Sequence, residues 1–138
     1  MIRYLADSTA VWRLQRDRKL NDLWGHELDD GAIGSCAPQR TEFRQSARGL
    51  DEYDGMTEMF ADLFPDVSVP KSAWKWIEVG QYRLAQRGQH QSLSVVDWLI
   101  CATAAHHGLV VLHDDADFRA AARLLSDLAE RNVFATPR

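Results

Sequence analysis

Five carboxylates carry the most chemistry in this chain: Asp7, Glu42, Asp97, Asp115 and Asp117. Each follows, or stands just inside, an element rich in apolar residues. Asp7 ends the run Ile2–Ala6, and Glu42 lies one turn into a helix that follows Ala32–Cys36. Asp97 stands in the first turn of an apolar helix. Asp115 and Asp117 belong to the cluster His113-Asp114-Asp115-Ala116-Asp117-Phe118, directly after Leu109–Leu112. Carboxylates gathered within about 4–6 Å repel, and one or more must hold a proton unless a cation separates them. An all-oxygen set without paired His or Cys suits Mg²⁺ or Mn²⁺ rather than Zn²⁺. Mg²⁺ keeps several waters and takes phosphate oxygens as further ligands, so the chemistry that fits is metal-assisted phosphodiester hydrolysis.

The elements that must position these acids are legible around them. Ser94 is a good N-cap for a helix from Val95 to about His107 that is apolar on nearly every side and therefore buried. Gly108 stands where a left-handed C′ residue belongs. Leu109–Leu112 has no polar alternation and fits a strand covered on both faces. Other strand candidates are Ile2–Ala6, Ala32–Cys36, Asp66–Val69 and Val133–Thr136. Helices are expected from Ser8 or Thr9 to Arg16, over Arg18–Asp29, from Pro38 to Arg48, over Met56–Phe64, from Pro70 to Arg87 and from Phe118 to Arg131. Gly49–Gly55 and Gly88–Ser92 read as loops. Strands alternating with helices predict an α/β fold with a parallel sheet in three layers. In such a sheet the acids after Ile2–Ala6 and Leu109–Leu112 share one edge, although Asp7 and Asp97 stand far apart in sequence.

With 138 residues, 46% of them hydrophobic, the chain is expected to form one domain over 1–138. The formal charge of −4 disfavours a binder held by a broad basic surface. Setting aside the five acids as metal ligands moves it to +1, so a polyanionic substrate is compatible. Cys36 and Cys101 lie in apolar segments and read as reduced core residues. No signal-peptide core and no run of roughly 20 apolar residues is present, so a cytoplasmic protein without a membrane span is expected. The chain holds no Ser-His-Asp or Cys-His nucleophile motif and no phosphate-cradling Gly-rich loop ending in Lys-Ser/Thr.

Each acid also has a purely structural use. Asp97, three residues after Ser94, completes a capping box. Asp7 fits a strand-end turn, Glu42 a solvated helix face, and one of Asp114, Asp115 and Asp117 a helix cap. Their conjunction carries the weight. Adjacent helical His106 and His107 point apart and are a poor metal pair, and His113 reads as a capped strand-end residue. Arg40, Arg44 and Arg119 are candidates for contacts to substrate phosphates, against salt bridges with the excess acids. Trp74 and Trp76 cannot face the same way, which leaves one for a partner's groove.

Four stretches together resemble a PIN domain, and within it the VapC toxins of bacterial type II toxin–antitoxin pairs. They are Tyr4-Leu5-Ala6-Asp7-Ser8-Thr9, Ala37-Pro38-Gln39-Arg40-Thr41-Glu42-Phe43, His90–Ala104 and Gly108–Phe118. The resemblance spans nearly the whole chain. It implies a three-layer fold with a five-stranded parallel sheet and a Mg²⁺-dependent endoribonuclease, dimeric and restrained by a small cognate antitoxin. Asp7 and Asp97 match the principal metal ligands, Glu42 and Asp115 the second and fourth acids, Asp117 a further acid, and Thr9 the hydroxyl position. Asp114 stands where members often carry a non-acidic residue, which leaves the register of the last acid open by one position. Ser8-Thr9 reverses the commoner order of the two hydroxyl residues. The competing readings are a receiver-like signalling module with Asp54 as phospho-acceptor, and a degenerate PIN fold used only for binding.

Overall fold

The computed structural model describes residues 1–137. Its elements are β1 (Tyr4–Ala6), α1 (Ser8–Arg16), α2 (Arg18–Leu23), α3 (Gly25–Asp29), β2 (Ile33–Gly34), α4 (Ala37–Arg44), α5 (Leu50–Leu63), α6 (Ala73–Ala85), α7 (Val95–His107), β3 (Val110–His113), α8 (Ala116–Ala122) and β4 (Ala129–Asn132). The strands form one sheet in the order β2-β1-β3-β4, with every pair parallel. Tyr4 faces Ile33 on one side and Val110 on the other. The winding reverses between β1 and β3, and the carboxyl ends of those strands flank the crevice where open α/β sheets place ligands.

Alternation along the strands builds a core on each face. Leu5 and Val111 pack with Ile77, Leu84, Ile100 and Phe118 of α6, α7 and α8. Tyr4, Ala6, Ile33 and Leu112 pack with Val11, Leu14, Leu20, Leu28, Phe43 and Phe60 of the first five helices. The result is the three-layer arrangement expected from the sequence. Ser94 caps α7 as expected, and Gly108 ends it in the left-handed conformation (φ 68°).

The five-stranded expectation is corrected to four strands. Asp66–Val69 shrinks to one parallel bridge between Ser35 and Asp66, in which Ser35 N–H donates to Pro65 O and Val67 N–H to Ser35 O. Pro65 and Pro70 bracket the segment, and proline cannot donate to a ladder. Close approach is possible because residue 34 is glycine: a Cβ there would stand 2.6 Å from Val67 Cγ2.

Three helix boundaries also move. The expected Arg18–Asp29 helix breaks at Trp24, whose buried Nε1 donates to Val133 O at 2.7 Å. The Gly49–Gly55 loop is the first turn and more of α5, with Asp51 and Glu52 placed favourably against the helix dipole. The final helix stops at Ala122, and the last strand is Ala129–Asn132 rather than Val133–Thr136.

Candidate active site

Asp7 leaves the end of β1 and caps α1, and it is 2% exposed. Its amide donates to Leu112 O at 3.0 Å, tying it to the neighbouring strand. Its carboxylate accepts from Ala10 N–H at 2.8 Å and from the Thr9 hydroxyl, whose oxygen lies 2.7 and 2.8 Å from the two carboxylate oxygens. Thr9 Oγ1 in turn accepts the Asp114 amide at 2.8 Å, so one hydroxyl joins the ends of β1 and β3. Burial pushes the Asp7 carboxyl up to about 7, and the charges of Asp97 and Asp115 add to that push. The bonds from Ala10 and Thr9 oppose it only partly.

Asp97 stands in the first turn of α7 and completes a capping box with Ser94. Its proton affinity is also raised, by burial first and then by Glu42 and Asp115, against the hydrogen bonds from Ser94. The capping use and the chemical use of Asp97 therefore coexist. Glu42 is half-buried on α4 and accepts from the Ser8 hydroxyl at 3.0 Å. Asp115 caps α8 by accepting the Asp117 amide at 2.9 Å. Asp117 is exposed, and its carboxyl is raised by partial burial and then by Asp115. Cys101, buried on α7, has its thiol pushed well up by burial and then by the charges of Asp97 and Asp7.

Asp7, Asp97 and Asp115 thus lie within one another's electrostatic reach at the carboxyl edge of the sheet, with Glu42 within reach of Asp97 and Asp117 within reach of Asp115 at the rim. Among the described residues, no three His, Cys, Asp or Glu side chains converge into a ready metal centre. The donor set nevertheless fits a hard divalent cation: all oxygens, mutually repelling, with the buried member holding its proton to about neutral pH.

Asp114, the neighbour of Asp115 in the cluster after β3, is held by Arg13. Its Nε donates to Asp114 Oδ2 at 2.8 Å, and Asn132 Nδ2 approaches Asp114 Oδ1 at 3.4 Å. Asp114 is thereby held by α1 and β4, while Asp115 couples to Asp7 and Asp97. Arg40 is committed to Ser35 and to Asp66, the latter at 2.7 Å, and so braces the strand bridge. Arg44 lies over the Tyr53 ring. Arg13 and Arg16, which the sequence did not single out, share a cavity with Thr9 and Asp114. A surface cavity of about 290 Å³ is lined by Thr9, Trp12, Arg13, Arg16 and Asp114. Spacing along α1 offered a signal, since Thr9, Trp12, Arg13 and Arg16 recur at helical intervals after Asp7. Asp54, the phospho-acceptor of the receiver reading, is exposed within α5 and follows no strand. Of the tryptophan pair, Trp74 is the exposed member, and Trp76 donates to Asp127.

A family model for the PIN domain matches residues 4–124. The chain is 60% identical over 102 residues to Ribonuclease VapC6 of Mycobacterium tuberculosis, covering 74% of this chain and 80% of that protein. The chain belongs to the PIN-domain family of VapC ribonucleases. A second VapC relative, Ribonuclease VapC2 of Mycobacterium tuberculosis, is 34% identical over 137 residues, with 98% of this chain and 96% of that protein covered. The VapC fold is seen again in the VapBC2 crystal structure from Rickettsia felis, bound to a DNA fragment from its promoter. There the TM-score is 0.75 at 14% identity, covering 96% of this chain and 98% of that one. No helix among the described residues of this PIN domain is long and apolar enough to cross a membrane.

Proposed function

We propose that this PIN domain is an endoribonuclease and the toxin of a type II toxin–antitoxin pair, hydrolysing RNA phosphodiester bonds with Mg²⁺, or Mn²⁺, held by Asp7, Asp97, Glu42 and Asp115. The observation that carries the reading is the burial of Asp7 beside Asp97 and Asp115, which lifts its carboxyl to about 7. A carboxyl in that condition is unfavourable for a folded protein unless a cation is its usual companion. When bound, the cation acidifies an attacking water and stabilises charge on the departing oxygen.

The chain's own residues do the rest. Asp7 is fixed from two sides, by Ala10 and by Thr9, so its oxygens point the same way in each turnover. Ser8 holds Glu42 and the capping box holds Asp97, each by one hydrogen bond that limits its swing. Asp117, at the rim, is the further acid of this reading. Arg16 lines the cavity beside Thr9 and offers positive charge to an RNA phosphate neighbouring the cleaved one, with Arg13 beside it paired to Asp114. Arg40 and Arg44 serve the scaffold in this reading.

The small antitoxin of the same operon class is the inferred partner, by analogy with the Rickettsia felis VapBC2 complex. A homodimer in the cytoplasm completes the proposal. The test is RNA cleavage by the purified chain in Mg²⁺ and in EDTA, with wild type and Asp97→Asn. Cleavage that persists in EDTA, or that Asp97→Asn leaves unchanged, contradicts the assignment.

A further inference from the structure

We infer that His113 is a positioning residue for Asp115, acting through the Asp115 backbone amide, with Glu130 selecting its tautomer. The inference rests on the reading of Asp115 as a member of the site. His113 is the last residue of β3 and is 1% exposed. Its ring stacks on Phe118 in the first turns of α8, with centroids 5.1 Å apart. Both ring nitrogens are engaged. The Asp115 amide donates to Nδ1 at 3.0 Å, and Nε2 lies 2.8 Å from Glu130 Oε1.

These two contacts define the proton's place. A ring nitrogen that accepts from an amide carries a lone pair, so Nδ1 is bare and the proton sits on Nε2, which donates to Glu130. Glu130 projects from β4, the strand paired beside β3. Without that carboxylate the other tautomer would turn an N–H against the Asp115 amide. Glu130 thus acts on Asp115 through His113.

Asp115 differs from the other acids in the backbone that carries it. Asp7 is stitched to β3 through its own amide, and Asp97 and Glu42 stand within helices. Asp115 follows the end of the sheet and precedes α8, in extended backbone (φ −147°, ψ 116°). Its carboxylate is held by the Asp117 amide, while its amide on His113 and its carbonyl, which accepts Phe118 N–H at 3.2 Å, set the direction of its backbone.

Two substitutions separate the roles of the ring. His113→Asn keeps an acceptor at the Nδ1 position, and His113→Gln keeps a donor at the Nε2 position but loses the acceptor. We expect His113→Gln to lower kcat for RNA by about 10–100-fold with KM unchanged, the usual effect of removing a ligand's supporting contact. His113→Asn should stay near wild type, and Asp115→Asn sets the level of full loss. Amide exchange in the metal-free protein supplies a readout independent of activity. The Asp115 amide should exchange slowly in wild type and His113→Asn, and fast in His113→Gln. Nitrogen NMR of metal-free wild type, which requires no variant to fold, should show the ring protonated at Nε2 and bare at Nδ1. A ring protonated at Nδ1, or equal kcat in the Asn and Gln variants while Asp115→Asn is inactive, overturns the inference. Activity retained by Asp115→Asn overturns the reading of the site, and the inference with it.

Discussion

Replacing Asp7 by Asn should stabilise the metal-free protein while removing its activity. Asn keeps an oxygen for the Ala10 amide and the Thr9 hydroxyl but has no charge to bury beside Asp97 and Asp115. In the unfolded chain the Asp7 carboxyl returns to about 3.8, whereas in the folded chain it sits at about 7. Between those values the folded state binds the proton and the unfolded state does not, so stability falls as pH rises through that window. The slope is about 1.4 kcal/mol per pH unit, and the whole window is worth about 4 kcal/mol. Above it the full penalty is present in wild type and absent from Asp7→Asn. Urea unfolding in EDTA should therefore show the variant's advantage widening by about 3 kcal/mol between about pH 5 and about pH 8. An advantage that is absent at about pH 8, or that does not change with pH, would refute the account of Asp7 as a charge buried without compensation.

Added Mg²⁺ should raise the melting temperature of wild type at about pH 8 by the equivalent of about 2.7 kcal/mol at a hundredfold excess over its dissociation constant, and should do much less for Asp97→Asn. Thermal scans with and without the ion check this. Asp115→Asn should lower RNA cleavage by about 100-fold or more in initial-rate assays, whereas Asp114→Asn should leave it nearly intact. The Arg13–Asp114 pair is partly exposed, so Asp114→Asn should lose less than about 1 kcal/mol in urea unfolding. Gly34→Ala should destabilise by about 1–3 kcal/mol by the same measurement, because its Cβ would press on Val67 and the Pro65 carbonyl.

The parts of this fold that were legible are those whose signal is local. The apolar run of α7, its Ser94 cap and its Gly108 stop can be read from neighbouring residues, and so can the buried strand beside them. The acids of the candidate site could be proposed from sequence because each adjoins such an element. What escaped depends on contacts across the chain. β4 reads Ala-Glu-Arg-Asn, with no strand pattern, and is a strand because β3 offers it an edge. The break at Trp24 goes with its bond to the Val133 carbonyl, and the pairing of Asp114 with Arg13 joins β3's end to α1. His113 looked like an ordinary strand end, since nothing near it in sequence reveals Glu130 as its partner.

The pairing of β1 with β3 has a consequence for biosynthesis. These strands are neighbours in the sheet but are separated by most of the polypeptide, and loops of that length close slowly. Asp7 leaves the ribosome well before its companions Asp97 and Asp115, which follow it far along the chain. A growing chain that has exposed Asp7 alone therefore holds no assembled carboxylate pocket, and the site forms only once both later acids have been synthesised.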